Sequence, residues 1–190
     1  ASEQEARDVQ AFHAAEENIA FVARIDLPTG PAYVINTHLP ASVPEDEPAR
    51  AEIRSIIQRR MLAPDDEKAF ISSFERGARS RIDMMRRLLA SVRTRLADAP
   101  VIFGGDLNAA PGSPELEQVL AEGFIDIVRD GGGDGANTWD PERNANVRLQ
   151  LETTPSSPTA EFEAWYDRRP RRVDHLFVSH SLGRGIIFSA

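Results

Sequence analysis

The chain has 190 residues, 41% of them hydrophobic, which places it in the size range of one domain able to bury a substantial core. Its formal net charge of −8 argues against a broad electrostatic footprint for duplex DNA, although a small groove can still be basic. Cysteine is absent, which excludes disulfides, thiolate catalysis and sulfur-built zinc sites; no apolar run approaches the roughly 20 residues of a membrane span, and no signal peptide is visible at Ala1.

Ser2 to Glu17 is polar, with Val9 and Phe12 its only large apolar residues, and reads as a surface loop or a marginal helix. Ile19 to Ile25 and Ala32 to Thr37 are β-rich runs separated by Leu27-Pro28-Thr29-Gly30-Pro31, so an antiparallel hairpin is expected. Its second strand delivers His38 to a sheet end. Pro40 to Pro48, with three prolines and three acids, reads as an exposed loop. Two helical patterns follow, Ala49 to Leu62 and Asp65 to Arg76, the second stopping at Gly77. Ser80 with Asp83 resembles a capping box opening a third helix. Its core stripe is Ile82, Met85, Leu88, Leu89, Val92 and Leu96, with Arg81, Arg86, Arg87, Arg93 and Arg95 on a solvated face. That helix should end near Asp98-Ala99-Pro100.

Val101-Ile102-Phe103-Gly104-Gly105-Asp106-Leu107-Asn108 is the most informative stretch: three apolar residues run into a glycine pair, as a buried strand does when it ends at a crevice. Residues two apart in extended backbone point the same way, so Asp106 and Asn108 would present a carboxylate and a carboxamide side by side. Such an oxygen pair suits a hard cation and a polarised water. A tight turn in which Asn108 satisfies its own backbone is the plainer alternative. Ser113 and Pro114 then open a short helix that Gly123 terminates. Phe124 to Val128 is a weaker strand or linker, and Gly131 to Gly135 reads as flexible loop because no helix follows it. Thr153 to Pro158 is another exposed loop. Trp165-Tyr166 with Arg168, Arg169, Arg171 and Arg172 could form a cation-rich lip. In Val173 to Val178 the alternation sends Asp174, Leu176 and Val178 one way and Val173, His175 and Phe177 the other.

Three segments together resemble the endonuclease/exonuclease/phosphatase superfamily, whose members include pancreatic-type deoxyribonuclease, abasic-site endonucleases, bacterial sphingomyelinases and inositol-polyphosphate phosphatases. Gly105-Asp106-Leu107-Asn108 is similar to its GD-x-N signature, Asn36-Thr37-His38-Leu39 to its N-T-H-L strand end, and Arg172 to Ser179 to its R-x-D-x-I-F-V-S strand. They occur in the family's order. Thr138-Trp139-Asp140 with Asn144 resembles the T-W-D-x-x-x-N loop of the sphingomyelinases and of the tyrosyl-DNA phosphodiesterase branch.

The resemblance implies an α/β (α+β) fold, part of a four-layer α/β/β/α sandwich with mixed, mainly antiparallel sheets. It implies a phosphoester hydrolase using Mg²⁺ or Mn²⁺ held by Asp106 and Asn108, with in-line attack by water. His38 would bind the phosphoryl group, Asp106 would orient or deprotonate the water, and Asp174 would position a histidine contributed later. Trp139 and Asn144 would lie beside the substrate; the alternative for Trp139 is that it caps the core. The family's asparagine and metal-binding glutamate before N-T-H-L have no convincing counterpart here, and Ser179-His180-Ser181 is not its distal S-D-H. Residues 1–190 are therefore expected to form a single partial domain with a helical insertion at 41–79, to need a missing N-terminal half as partner, and to be inactive alone. A nucleic acid end, a sphingolipid head group and an inositol phosphate all remain open as substrates. A non-catalytic scaffold of the same fold is the competing function; a Ser/His/Asp hydrolase lacks its G-x-S-x-G elbow. The expected setting is a soluble bacterial protein of undetermined compartment.

Overall fold

The β-rich runs on either side of the Pro-Gly turn form the expected hairpin: β1 (Ala20–Leu27) pairs antiparallel with β2 (Gly30–Thr37), with Leu27 opposite Gly30. The computed structural model describes residues 20–40, 47–96, 98–131, 137–145 and 157–183. Ser2 to Glu17, Gly132 to Gly135 and Thr153 to Ser156 lie outside them. Of the stretch expected as a loop from Pro40 to Pro48, Glu47 and Pro48 open a helix instead, and residues 41–46 lie outside the described residues.

β2 runs parallel to β3 (Val101–Asp106), and a parallel neighbour needs a crossover. Helices α1 (Glu47–Arg60) and α2 (Pro64–Leu96) supply it. β3 pairs antiparallel with β5 (Asp174–Val178), and β5 pairs antiparallel with the two-residue β4 (Ile125–Asp126), giving the order β1-β2-β3-β5-β4. The sheet is thus mixed and mainly antiparallel.

The break expected at Gly77 and the start expected at Ser80 are absent: α2 is one continuous helix of 33 residues. A glycine inside a helix costs only about 1 kcal/mol against alanine, and α2 buries Phe70 on one side of Gly77 and Met85 and Leu89 on the other. Packing at both ends outweighs the local stop signal. Ser80 has no cap to make and its hydroxyl lies 3.9 Å from the Met84 sulfur. Arg81 also departs from expectation, since it sits on the buried stripe with Met85 and Leu89, whereas Arg86, Arg87, Arg93 and Arg95 are exposed as expected.

Two apolar clusters hold these elements. The first lies between one sheet face and the helices: Ile35, Phe103 and Phe177 meet Met85 and Leu89 of α2 and Leu116 and Val119 of α3 (Pro114–Ala121). The second joins Ile56 of α1 and Phe70 of α2 to Phe162 and Tyr166 of α5 (Pro158–Asp167). Arg59 reinforces it, reaching Glu161 at 2.7 Å and Glu52 at 2.8 Å. Ser157 caps α5 by accepting the Ala160 N–H, so helix replaces loop at Ser157-Pro158. Ser113 occupies the N-cap of α3 without a side-chain cap bond. Asp126 ends β4 and caps the single turn α4 (Ile127–Asp130), accepting from the N–H groups of Val128 and Arg129. A last turn, α6 (His180–Gly183), follows β5.

On the other sheet face several apolar side chains of the described residues are exposed, although Ala32 and Val178 there are buried. Strand alternation puts Phe21, Ile25, Leu27 and Leu176 opposite the core residues, and Phe21 is 60% exposed. No helix among the described residues is long and apolar enough to cross a membrane.

Candidate active site

The site begins with the glycine pair that ends β3. A side chain on Gly104 would strike the His175 carbonyl oxygen of β5, and one on Gly105 the Thr37 carbonyl oxygen of β2. Gly105 also has φ +135°, a conformation that L residues rarely adopt. Glycine here lets three strands close on one another just before Asp106.

Beyond the ladder two further bonds fix the strand ends: the Leu39 N–H donates to the Asp106 carbonyl and the Leu107 N–H to that of Val173. Side chains from three separate segments, His38, Asp106 with Asn108, and Asp174, come together there. Asp106 stands opposite Asp174 in the β3–β5 register. The Asp106 carboxylate accepts the Asn108 N–H at 3.0 Å and lies 3.6 Å from His38 Nε2. The Asn108 carboxamide donates to the Leu39 carbonyl at 2.8 Å and faces His38 Nε2 at 3.2 Å. A neutral His38 ring accepts at Nε2 from Asn108, and a protonated one pairs with Asp106. Leu107 is fully buried, so the turn directs its neighbours outward as the two-residue spacing suggests. Asn108 is more than a self-satisfied turn residue, because its side chain bridges to the β2 end.

Burial raises the Asp106 carboxyl above its ordinary pKa; the Asn108 N–H opposes this, the Asp174 charge adds to it, and His38 and Arg171 counter it. The Asp106 carboxylate and Asn108 carboxamide are oxygen donors of the type Mg²⁺ and Mn²⁺ take. Among the described residues, however, no group of three or more His, Asp or Glu side chains is arranged to hold a metal ion.

The Trp139 loop is tied to the same edge. The Thr138 hydroxyl accepts the N–H groups of Val173 and Asp174, at 3.1 and 3.0 Å, and Trp139 bridges to Arg171. The Trp139 ring is partly buried, its N–H donates to the Asp167 carbonyl at 2.7 Å, and the Arg171 guanidinium lies 4.9 Å from its centre. Asn144 is exposed at the end of the following turn, its N–H donating to Asp140.

Of the four arginines of the expected lip, Arg172 is buried, Arg169 and Arg171 are half-buried and Arg168 is exposed. Arg171 is sandwiched between Trp139 and Tyr166 and pairs with Asp167. Arg172 is buried in an ion pair with Asp126. Arg169 lies 4.9 Å over the Trp165 ring, which packs on the second cluster. Their aromatic and acidic partners are near and far in sequence, and composition alone does not reveal which of them face inward. His175 is also internal, as the alternation requires: its Nε2 donates to the Ala109 carbonyl at 2.8 Å and burial lowers its pKa. Thr138 and Arg171 are the positioning groups that the motifs did not single out; Thr138 lay inside a quoted motif, Arg171 beside one.

Among solved structures the chain is similar to a beta toxin from Staphylococcus aureus, at 18% identity and a TM-score of 0.47, covering 84% of this chain and 42% of that one. It is similar to TDP2 from D. rerio complexed with single-strand DNA product, at 18% identity and a TM-score of 0.49, over 86% and 48% of the two chains. A mutant beta toxin from S. aureus with bound magnesium ions matches at 18% identity and a TM-score of 0.48, over 84% and 41%. The chain thus spans less than half the length of each. No curated protein matches. The model of the endonuclease/exonuclease/phosphatase family matches residues 4–187, and with the sheet edge that gathers His38, Asp106, Asn108 and Asp174, the chain belongs to that family.

Proposed function

We propose that the protein containing this chain is a metal-dependent phosphoester hydrolase, and that His38, Asp106, Asn108 and Asp174 are this chain's share of its active site. The observation that carries the reading is the contact of His38 Nε2 with both the Asn108 carboxamide and the Asp106 carboxylate at one sheet edge. Water attacks phosphorus in line with the leaving oxygen, whose bond to phosphorus breaks. Asp106 orients or deprotonates that water; a carboxyl held above its ordinary pKa is a better base. Asn108 holds the water or a phosphoryl oxygen. His38 donates to the phosphoryl group, as hydrogen-bond donor or general acid. Asp174 orients a histidine from outside this chain. A divalent cation, Mg²⁺ or Mn²⁺, held by Asp106 and Asn108 supplies charge neutralisation at the phosphoryl oxygens.

The chain is read as one partial domain, with 41–79 as a helical insertion. The exposed apolar side chains Phe21, Ile25, Leu27 and Leu176 on one sheet face support a missing N-terminal half of the domain, a second sheet completing a four-layer sandwich. Trp139 and Asn144 are assigned to the substrate wall, since Thr138 anchors their loop to Asp174. A nucleic acid end, a sphingolipid head group or an inositol phosphate fits this chemistry.

The test is hydrolysis of bis-nitrophenyl phosphate with Mg²⁺ or Mn²⁺ by the full-length protein, its H38A and D106A variants, and the 190-residue chain. Turnover by the full-length protein that H38A and D106A abolish, with none by the chain alone, is the expected result. A second reading is a non-catalytic scaffold, since no group of three metal-holding side chains occurs among the described residues; a full-length protein without turnover would favour it.

A further inference from the structure

Arg81 was expected on a solvated helix face and is instead 3% exposed, against a Glu115 that is 2% exposed. Its Nε donates to the Glu115 carboxylate at 2.7 Å, and its NH1 donates to the Asn108 carbonyl, also at 2.7 Å. One guanidinium therefore joins α2, the second residue of α3 and the loop between β3 and α3. A buried charge pair is an expensive way to fasten a helix, because apolar residues of the same size serve as well or better. What apolar residues cannot do is donate to a carbonyl.

The carbonyl in question belongs to Asn108, whose φ of +46° lies in the left-handed region. Asparagine tolerates that region better than most residues, and here the Arg81 bond to its carbonyl adds a fixed tertiary anchor. The left-handed turn brings the Asn108 carboxamide back onto the Leu39 carbonyl and His38 Nε2, and its N–H onto Asp106. Displacement of the Asn108 carbonyl would carry with it the Cα from which the carboxamide reaches both partners. Arginine suits the task because its planar fork serves two acceptors in fixed directions, whereas a lysine has a single nitrogen.

We propose that Arg81, held by Glu115, is the positioning residue for Asn108: it touches no reacting atom and sets the peptide from which the carboxamide reaches the site. The inference rests on the reading of His38, Asp106 and Asn108 as an active site. Removing Arg81 alone would strand the Glu115 charge and risk unfolding, so the main variant is R81M/E115M, which removes both charges, with R81K beside it.

Two readouts apply to the full-length protein. With selective ¹⁵N-asparagine labelling, the Asn108 carboxamide signals are identified by their loss in N108A. In R81M/E115M and R81K they should move toward the position of a free carboxamide while the other asparagine signals stay in place. In hydrolysis of bis-nitrophenyl phosphate with Mg²⁺, kcat should fall by about 10²-fold with KM within a few-fold, the scale expected for a misplaced catalytic group. Adding R81K to N108A should cost nothing more. Unmoved Asn108 signals, or an R81K effect of equal size with and without N108A, would overturn the assignment. Absence of hydrolysis in the unmodified protein would instead reject the hydrolase reading, and the carboxamide signals would still decide for or against Arg81.

Discussion

A methyl group added at Gly105 would lie 2.1 Å from the Thr37 carbonyl oxygen, and the residue's φ is +135°. Gly105→Ala is therefore expected to cost at least about 1–3 kcal/mol from backbone strain alone, with the overlap adding to it; urea denaturation measures the loss, and a change within error would refute the close-approach argument. Its neighbour Asp106 makes a second prediction. Burial is the main cause of its raised pKa and the Asp174 charge adds to it. Asp174→Asn removes that charge, so the Asp106 carboxyl should titrate at lower pH in the variant, nearer its ordinary value of 3.8. Carboxylate ¹³C NMR without added metal follows this directly. A titration that stays put or rises would show that Asp174 does not act on Asp106.

β4 and α4 are tied to the segment that leads into β5 by a buried pair, Arg172 with Asp126, and Asp126 also caps α4 through two N–H groups. Asp126→Ala removes the cap and leaves a buried guanidinium without its counter-charge, so about 3–5 kcal/mol of stability should disappear. A loss below about 1 kcal/mol would mean the cap alone mattered. β5 also carries His175, buried against the Ala109 carbonyl with its pKa lowered chiefly by desolvation. The sign follows from linkage. The unfolded chain binds a proton near 6.5, the folded chain only at lower pH, so the unfolded state holds more protons between those values. Stability from this group is complete above 6.5 and is lost as the pH falls below it. In His175→Gln that part of the pH dependence of the unfolding free energy should vanish, and a variant retaining the same slope would assign it elsewhere.

In the whole fold, the sheet face opposite the core carries exposed apolar side chains among the described residues. Phe21, Ile25, Leu27 and Leu176 share that face, and contiguous exposed apolar surface favours association. The 190-residue chain by itself is expected to self-associate in sedimentation at micromolar concentration. Replacing Phe21 and Ile25 by threonine, which keeps β propensity, should return it to a monomer without unfolding it. Persistent association in that variant would place the contact elsewhere. The two apolar clusters meet along α2, with Phe70 in one and Met85 in the other. Arg81 lies between them and reaches the Asn108 loop, so helix placement and site geometry are mechanically linked.

Much of the site was legible in the sequence because it is made of strand ends. Period-two alternation and a glycine pair act over a few neighbouring residues, and they were enough to locate β2, β3 and β5, to send His175 inward, and to put Asp106 beside Asn108. Arg81 and Glu115 are 34 residues apart, and Arg172 and Asp126 are 46 apart. Helical periodicity told which way the other arginines of α2 pointed, but a charge goes inside only when a counter-charge and a carbonyl are waiting there. Those partners arrive from other elements when the chain folds. The same holds for Gly77, whose local preference to end a helix was overridden by apolar packing on both sides of it. Sequence patterns thus determined where the strands end and which polar groups stand there; tertiary contacts alone decided which charges were buried, because burial depends on a partner that no local pattern contains.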